Sequence, residues 1–161
     1  MLLIATFAQS KTPWPPPAQP GDLNITVVAS DSPQYLHDWV NPEKHNKVTI
    51  KKINNIKVEQ VAYCGFLISG LTPSPAPDSS VYFSVGFKLY GPDGSLLFEQ
   101  PIYTQGKIKD PQKQTYVMAD PALDLIMEKS DPVGTYTIVG IVTDLVTKQK
   151  ATGIYKLTLT E

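Results

Sequence analysis

The chain has 161 residues, 42% of them apolar and 18% charged, with a formal net charge of −1. That is enough apolar material for one self-sufficient core, and too much for a disordered polyelectrolyte. All 14 basic residues are lysine, so the flat bidentate guanidinium favoured at phosphate and nucleic-acid sites is missing, and nucleic acid is not an expected partner.

The N-terminal run MLLIATFAQS is apolar and ends in small and polar residues, with Thr6 and Ala8 spaced as before a signal-peptidase cut. It lacks a basic start and is short, so residues 1–8 read as a truncated signal peptide. Residues 9–22 follow as a proline-rich tether: KTPWPPPAQPGD carries five prolines, which favour extended polyproline II and cannot enter a sheet interior. Trp14 within it is a candidate anchor, though a plain linker suffices to explain the stretch. No segment approaches the ~20 apolar residues of a membrane-spanning helix. Together these features predict a protein that is exported, periplasmic or secreted, and not membrane-spanning.

Residues 23–161 then read as a single β-sandwich domain. LNITVVA at 23–29 is the first strand. In SDSPQYLHDWV, Ser32 as cap, Pro33 at the first helical position, and Tyr35, Leu36, Trp39 and Val40 at helical spacing predict one short helix over 33–40. Its Trp39 is expected to plug one end of the sandwich, because so short a helix needs a docked apolar side. Strands are predicted at 47–53 and 56–70. The loop LTPSPAPDSS breaks the pairing, and VYFSVGFKLY at 81–90 shows the cleanest alternation, with Val81, Phe83, Val85, Phe87 and Leu89 on one face. GPDG at 91–94 turns the chain into its hairpin partner SLLFEQPIYT. Residues 106–131 carry a weaker pattern, expected as a crossing segment rather than a long helix. The last pair is GTYTIVGIVTD with ATGIYKLTLT, whose Tyr155, Leu157 and Leu159 share a face.

Seven or eight short strands divided by Pro/Gly turns predict an all-β, immunoglobulin-like antiparallel sandwich. Asp131, Gly134 and Tyr136 form D-x-x-G-x-Y just before a strand, the position of a tyrosine corner, where a phenol satisfies backbone left unpaired between sheets. Ile138 stands where antibody domains carry a cysteine. With LYGPDGSLLFEQ upstream, the stretch SDPVGTYTIVGIVTDLVTKQKATGIYKLTL resembles a group of exported proteobacterial proteins of unknown function with a bacterial immunoglobulin-like sandwich. The resemblance spans residues 30–160 and implies a fold and an exported address, with no catalytic residue to carry over.

Chemistry is sparse. Cys64, the one cysteine, rules out an internal disulfide and a cysteine-based metal site, and its apolar neighbours mark it as a buried hydrophobe. His37, Asp38, Glu43 and His45 fall in one stretch, but without metal-ligand spacing and interrupted by Asn41-Pro42. There is no nucleophile elbow and no phosphate loop. Asp78, Asp93 and Asp131 belong to separate turns, which is too dispersed for calcium. No metal, cofactor or catalytic residue is therefore assigned. The function expected is a non-catalytic protein-interaction or structural module of the cell envelope or secretome, its partner another protein. The alternative is carbohydrate or small-ligand binding by Tyr82 and Tyr90, which with Lys88 and Gly86 share the polar face of one strand and would form a shallow stacking surface. A hydrolase ranks last.

Overall fold

The computed structural model describes residues 22–41, 48–109 and 116–161. They contain nine strands and one helix: β1 (Asn24–Ser30), α1 (Gln34–Val40), β2 (Asn55–Lys57), β3 (Val61–Ser69), β4 (Val81–Tyr90), β5 (Leu96–Ile108), β6 (Val117–Met118), β7 (Leu123–Ile126), β8 (Gly134–Asp144) and β9 (Lys150–Thr160). One sheet places β3 between β1 and the edge formed by β6 and β7; the other runs β2-β9-β8-β4-β5. The pairings are antiparallel except β2 with β9, which is parallel. β1 paired to β3 in one sheet, and the final hairpin β8–β9 beside β4 in the other, is the strand arrangement of an immunoglobulin-like sandwich.

The alternation of VYFSVGFKLY works as its period demands. Val81, Phe83, Val85 and Phe87 are buried, and they meet Phe66 and Ile68 of β3, Tyr136, Ile138 and Val142 of β8, and Leu157 and Leu159 of β9 in the main core. The turn at 91–94 closes through Gly91 N to Ser95 O (2.9 Å), with Gly94 at φ +79° and the Asp93 carboxylate accepting from the Ser95 amide. At the corner before β8, the Tyr136 hydroxyl donates to the Pro132 carbonyl (2.8 Å) while its ring is buried. Asp131 accepts from the Glu128 amide (2.7 Å), and Gly134, at φ +144°, leaves room for Pro92.

Three sequence expectations change. The run 56–70 is two strands in different sheets: a turn at Lys57–Gln60 with Glu59 at φ 64° ends β2, and the chain crosses to begin β3. Glutamate is an uncommon left-handed residue, so nothing in the sequence flags that turn. The strand expected at 47–53 contributes, over its described residues, an isolated bridge between Ser30 and Lys52. Val48 and Ile50 pack against the helix while Ile53 packs on the main core, so the segment divides its apolar residues between two layers.

The helix is the third change. It starts at Gln34, with the Ser32 hydroxyl accepting from the Gln34 amide (3.2 Å). It lies on the outer face of β1 and β3, not over one end of the sandwich. Tyr35 is buried with Val28 and Leu67, Leu36 and Trp39 packing beside them, and the Tyr35 hydroxyl donates to the Tyr63 carbonyl (3.1 Å). Gly65 makes this possible, since a β-carbon there would stand 2.8 Å from that hydroxyl. Trp39 therefore seals a sheet face. The segments 1–21, 42–47 and 110–115 lie outside the described residues, and with them the leader, nearly all the tether, Glu43 and His45.

Candidate functional site

The two flanks of the sandwich differ. On one, β1 lies directly over β9: a β-carbon on Gly153 would sit 2.3 Å from the Ile25 carbonyl oxygen, so the backbones of the two sheets touch there, leaving a depression of about 400 Å³ between the two strands. On the other, β5 and the β6/β7 edge are the outermost strands of their sheets and do not pair with each other. The flank is bridged midway, where the Tyr103 hydroxyl donates to the Ala122 carbonyl (2.9 Å) and the Thr104 hydroxyl to the Asp120 carbonyl. Beside that bridge lies an apolar groove of about 570 Å³ lined by Phe87, Leu89, Phe98, Gln100, Tyr103, Leu123 and Leu125.

Aromatic rings form its floor. Phe98 stacks on Phe87 at 5.5 Å, Tyr103 meets Phe87 edge-on at 5.1 Å, and Phe66 backs both from the core. The strand that borders it is 13 residues long, and it exposes Leu96, Leu97, Phe98 (51%) and Ile102 (57%). Edge strands of that length normally carry charge or are covered. Here the guard is local: between Val85 and Phe87 the β5 register shifts in a bulge at Pro101, and the Gln100 amide caps the Ile102 carbonyl (3.0 Å). Leu96 to Glu99 are left as an open edge next to the groove.

Two carboxylates lie close enough to the Tyr103 bridge to act on its hydroxyl. Asp120 and Asp124 are exposed, and neither has an ion-pair partner among the described residues. Burial, together with these two carboxylates, raises the Tyr103 hydroxyl above the ordinary tyrosine range.

Tyr82, Lys88 and Tyr90 do share the outer face of β4, but the structure does not gather them into one surface. Eight residues of strand hold the two tyrosines about 27 Å apart. The Tyr82 hydroxyl donates to Asp78 (2.6 Å), while Lys107 lies over the Tyr82 ring at 4.8 Å and bridges to Asp78 at 3.2 Å. The Tyr82 hydroxyl above all, then Lys107, hold the Asp78 carboxyl well below the usual carboxylate range. Lys88 pairs across the strand with Glu99 at 3.0 Å, which raises its ammonium pKa. Gly86 is not an open floor: a β-carbon there would stand 2.3 Å from the Pro101 carbonyl oxygen, so the bulging β5 backbone already occupies that space. Tyr90 alone lines a shallow depression, with Pro92, Thr137 and Lys156.

Among the described residues no three His, Cys, Asp or Glu side chains converge as metal ligands, and no helix is long and apolar enough to cross a membrane. Cys64 is fully buried, and burial pushes its thiol up to about 12. Asp93 and Asp131 serve their own turns.

No protein family matches the chain, and no curated protein matches it. Two solved structures are similar in outline. One is the PKD domain of an M14-like peptidase from a Thermoplasmatales archaeon, at 12% identity and TM-score 0.40, covering 89% of this chain and 99% of that one. The other is a family 123 glycoside hydrolase from Clostridium perfringens, described for glycolipid glycan hydrolysis, at 10% identity and TM-score 0.49; the match covers 86% of this chain and 27% of that one.

The groove residues escaped the sequence reading, which placed the site on the outer face of β4. A signal was present in Leu96-Leu97-Phe98: three successive apolar residues of a strand cannot all point inward, so at least one must meet solvent or a partner.

Proposed function

We propose that this chain is a non-catalytic interaction module of the cell envelope or secretome, exported to the periplasm or beyond. In this reading residues 1–8 are the leader, 9–22 the tether, and 23–161 the domain that meets another protein. The observation that carries it is the open β5 flank, where an unpaired edge at Leu96–Glu99 adjoins an aromatic groove with exposed Phe98. An extended segment docking there gains backbone hydrogen bonds from the edge and side-chain burial from the groove, the two terms of β-strand addition.

The test is photo-cross-linking in source cells, with a benzophenone amino acid at position 98 and, as control, at position 139 on the outer face of β8. The proposal expects a recurrent protein adduct from position 98 alone. Equal scatter from both positions, or none, overturns it.

A further inference from the structure

Asn24 opens β1 within the run Asp22-Leu23-Asn24-Ile25-Thr26. Of the five asparagines in the chain, Asn24 alone is followed by a non-proline residue and then a serine or threonine, the acceptor triplet of N-linked glycosylation. Such a triplet needs an amide nitrogen that a transferase can reach and, two residues on, a hydroxyl by which the acceptor is recognised. Strand side chains alternate, so Asn24 and Thr26 point to the outer face of β1 while Ile25 and Val27 enter the core. Asn24 is exposed and Thr26 half-buried, and among the described residues no hydrogen bond engages the side chain of either. Asp22 is exposed as well, and a carboxylate two residues before the asparagine is what bacterial oligosaccharyltransferases read in addition to the triplet.

The surroundings of the acceptor leave room for a sugar. β1 is the outermost strand of its sheet. The segment after the helix covers only its far end, where Ser30 bridges to Lys52 and the Ala29 carbonyl accepts from the Ile53 amide. Asn24 and Thr26 line the depression between β1 and β9, with Lys52 and Ile154 (64% exposed) also on its wall. A ring attached at Asn24 has open volume beside it and an apolar side chain on which its carbon face can rest. Its bulk also guards an edge strand against pairing with another chain.

We propose that Asn24 is the acceptor of an N-linked glycan, transferred from a lipid-diphosphate-linked oligosaccharide on the outer side of the exporting membrane. The Asn24 Nδ2 attacks the anomeric carbon of the first sugar, the bond from that carbon to the diphosphate oxygen breaks, and the amide loses one proton as the lipid diphosphate leaves. Ile25 fixes the order of events. It sits between the two recognised side chains and is 2% exposed, so bending the triplet into a transferase would draw it out of the core. Transfer therefore precedes the closing of β1 against β3, and the fold then presents the glycan outward. The proposal rests on export, because donor and transferase act beyond the cytoplasm, and it is independent of what the β5 flank binds.

The experiment is mass spectrometry of the chain purified from source cells, reading its N-terminus and the lysyl-endopeptidase peptide 12–44. Expected is a peptide heavier by an oligosaccharide that fragmentation assigns to Asn24 and that survives alkaline β-elimination. Asn24→Gln and Thr26→Val should lose the added mass entirely, Thr26→Ser should keep it, and Asp22→Asn should leave most copies unmodified. Thr26→Val keeps the branched shape that strands favour, so it should still unfold cooperatively in urea, which separates lost recognition from a lost fold. An unmodified peptide in a chain whose leader has been removed overturns the proposal and leaves export standing. An unmodified chain that keeps residues 1–8 overturns both. Added mass that Thr26→Val retains, or that alkali removes, also refutes it, since the sugar then sits on a serine or threonine hydroxyl.

Discussion

Replacing Asp144 should cost more stability than any other single carboxylate described. The residue ends β8 with 1% of its surface exposed. One carboxylate oxygen accepts from the Val146 amide (2.8 Å) and the Thr147 amide (3.1 Å), while the other accepts from the Thr72 amide (2.8 Å) in the loop leaving β3. One anion thus ties the β8–β9 turn to the opposite sheet. Burial by itself would raise its pKa, but the amides of Thr72, Thr147 and Val146 outweigh it and hold the carboxyl below the ordinary range.

Hydrogen bonds to a charged group are worth about 1.5–3 kcal/mol each. The Thr147 amide lies in an exposed turn and regains water when its acceptor is lost; the other two do not, so Asp144→Ala should cost about 3–5 kcal/mol. Asp144→Asn keeps one acceptor oxygen for the turn but aims an amide donor at the Thr72 N–H, and should cost about 2–3 kcal/mol. The assay is urea unfolding, read as a fall in midpoint at constant slope. The pH dependence supplies a second check. With a folded pKa below the unfolded value of about 3.9, the carboxylate contributes its stability above that pH and loses it as the pH falls through the folded pKa. The gap between wild type and Asp144→Ala should therefore narrow below about pH 4. A loss under about 1 kcal/mol for Asp144→Ala, or a gap that holds steady into acid, refutes the account.

Tyr136→Phe removes the bond to Pro132 while keeping the ring in the core, and should lower stability by about 1–1.5 kcal/mol in the same urea assay. Gly153→Ala drives a methyl against the Ile25 carbonyl; thermal unfolding should register a loss of about 1–3 kcal/mol as β1 is pushed off β9. Cys64, buried and with its thiol raised to about 12, should not react with an aromatic disulfide at pH 8 until denaturant is added, and a rapid native reaction would contradict its burial. Tyr82→Phe, by contrast, should leave any binding at the β5 flank unchanged, because that hydroxyl is spent on Asp78.

Much of this architecture is readable from local chemistry. Alternating apolar residues in VYFSVGFKLY and GIYKLTLT face the core because strand side chains alternate whatever the fold, and Pro, Asp and Gly set the 91–94 turn through their own backbone preferences. The corner tyrosine is legible for the same reason: its hydroxyl bonds to a carbonyl only four residues upstream. The site was not legible, because it is made by distance. Phe98 and Leu125 become neighbours only once β5 and β7 take the outer places of two different sheets. Gly86, a residue without a side chain that reads as open surface, instead holds the Pro101 backbone from the adjacent strand. Composition and periodicity determine which residues are buried; which strand is left at an edge, and which flank of the sandwich stays open, depends on strand order, which no local preference encodes.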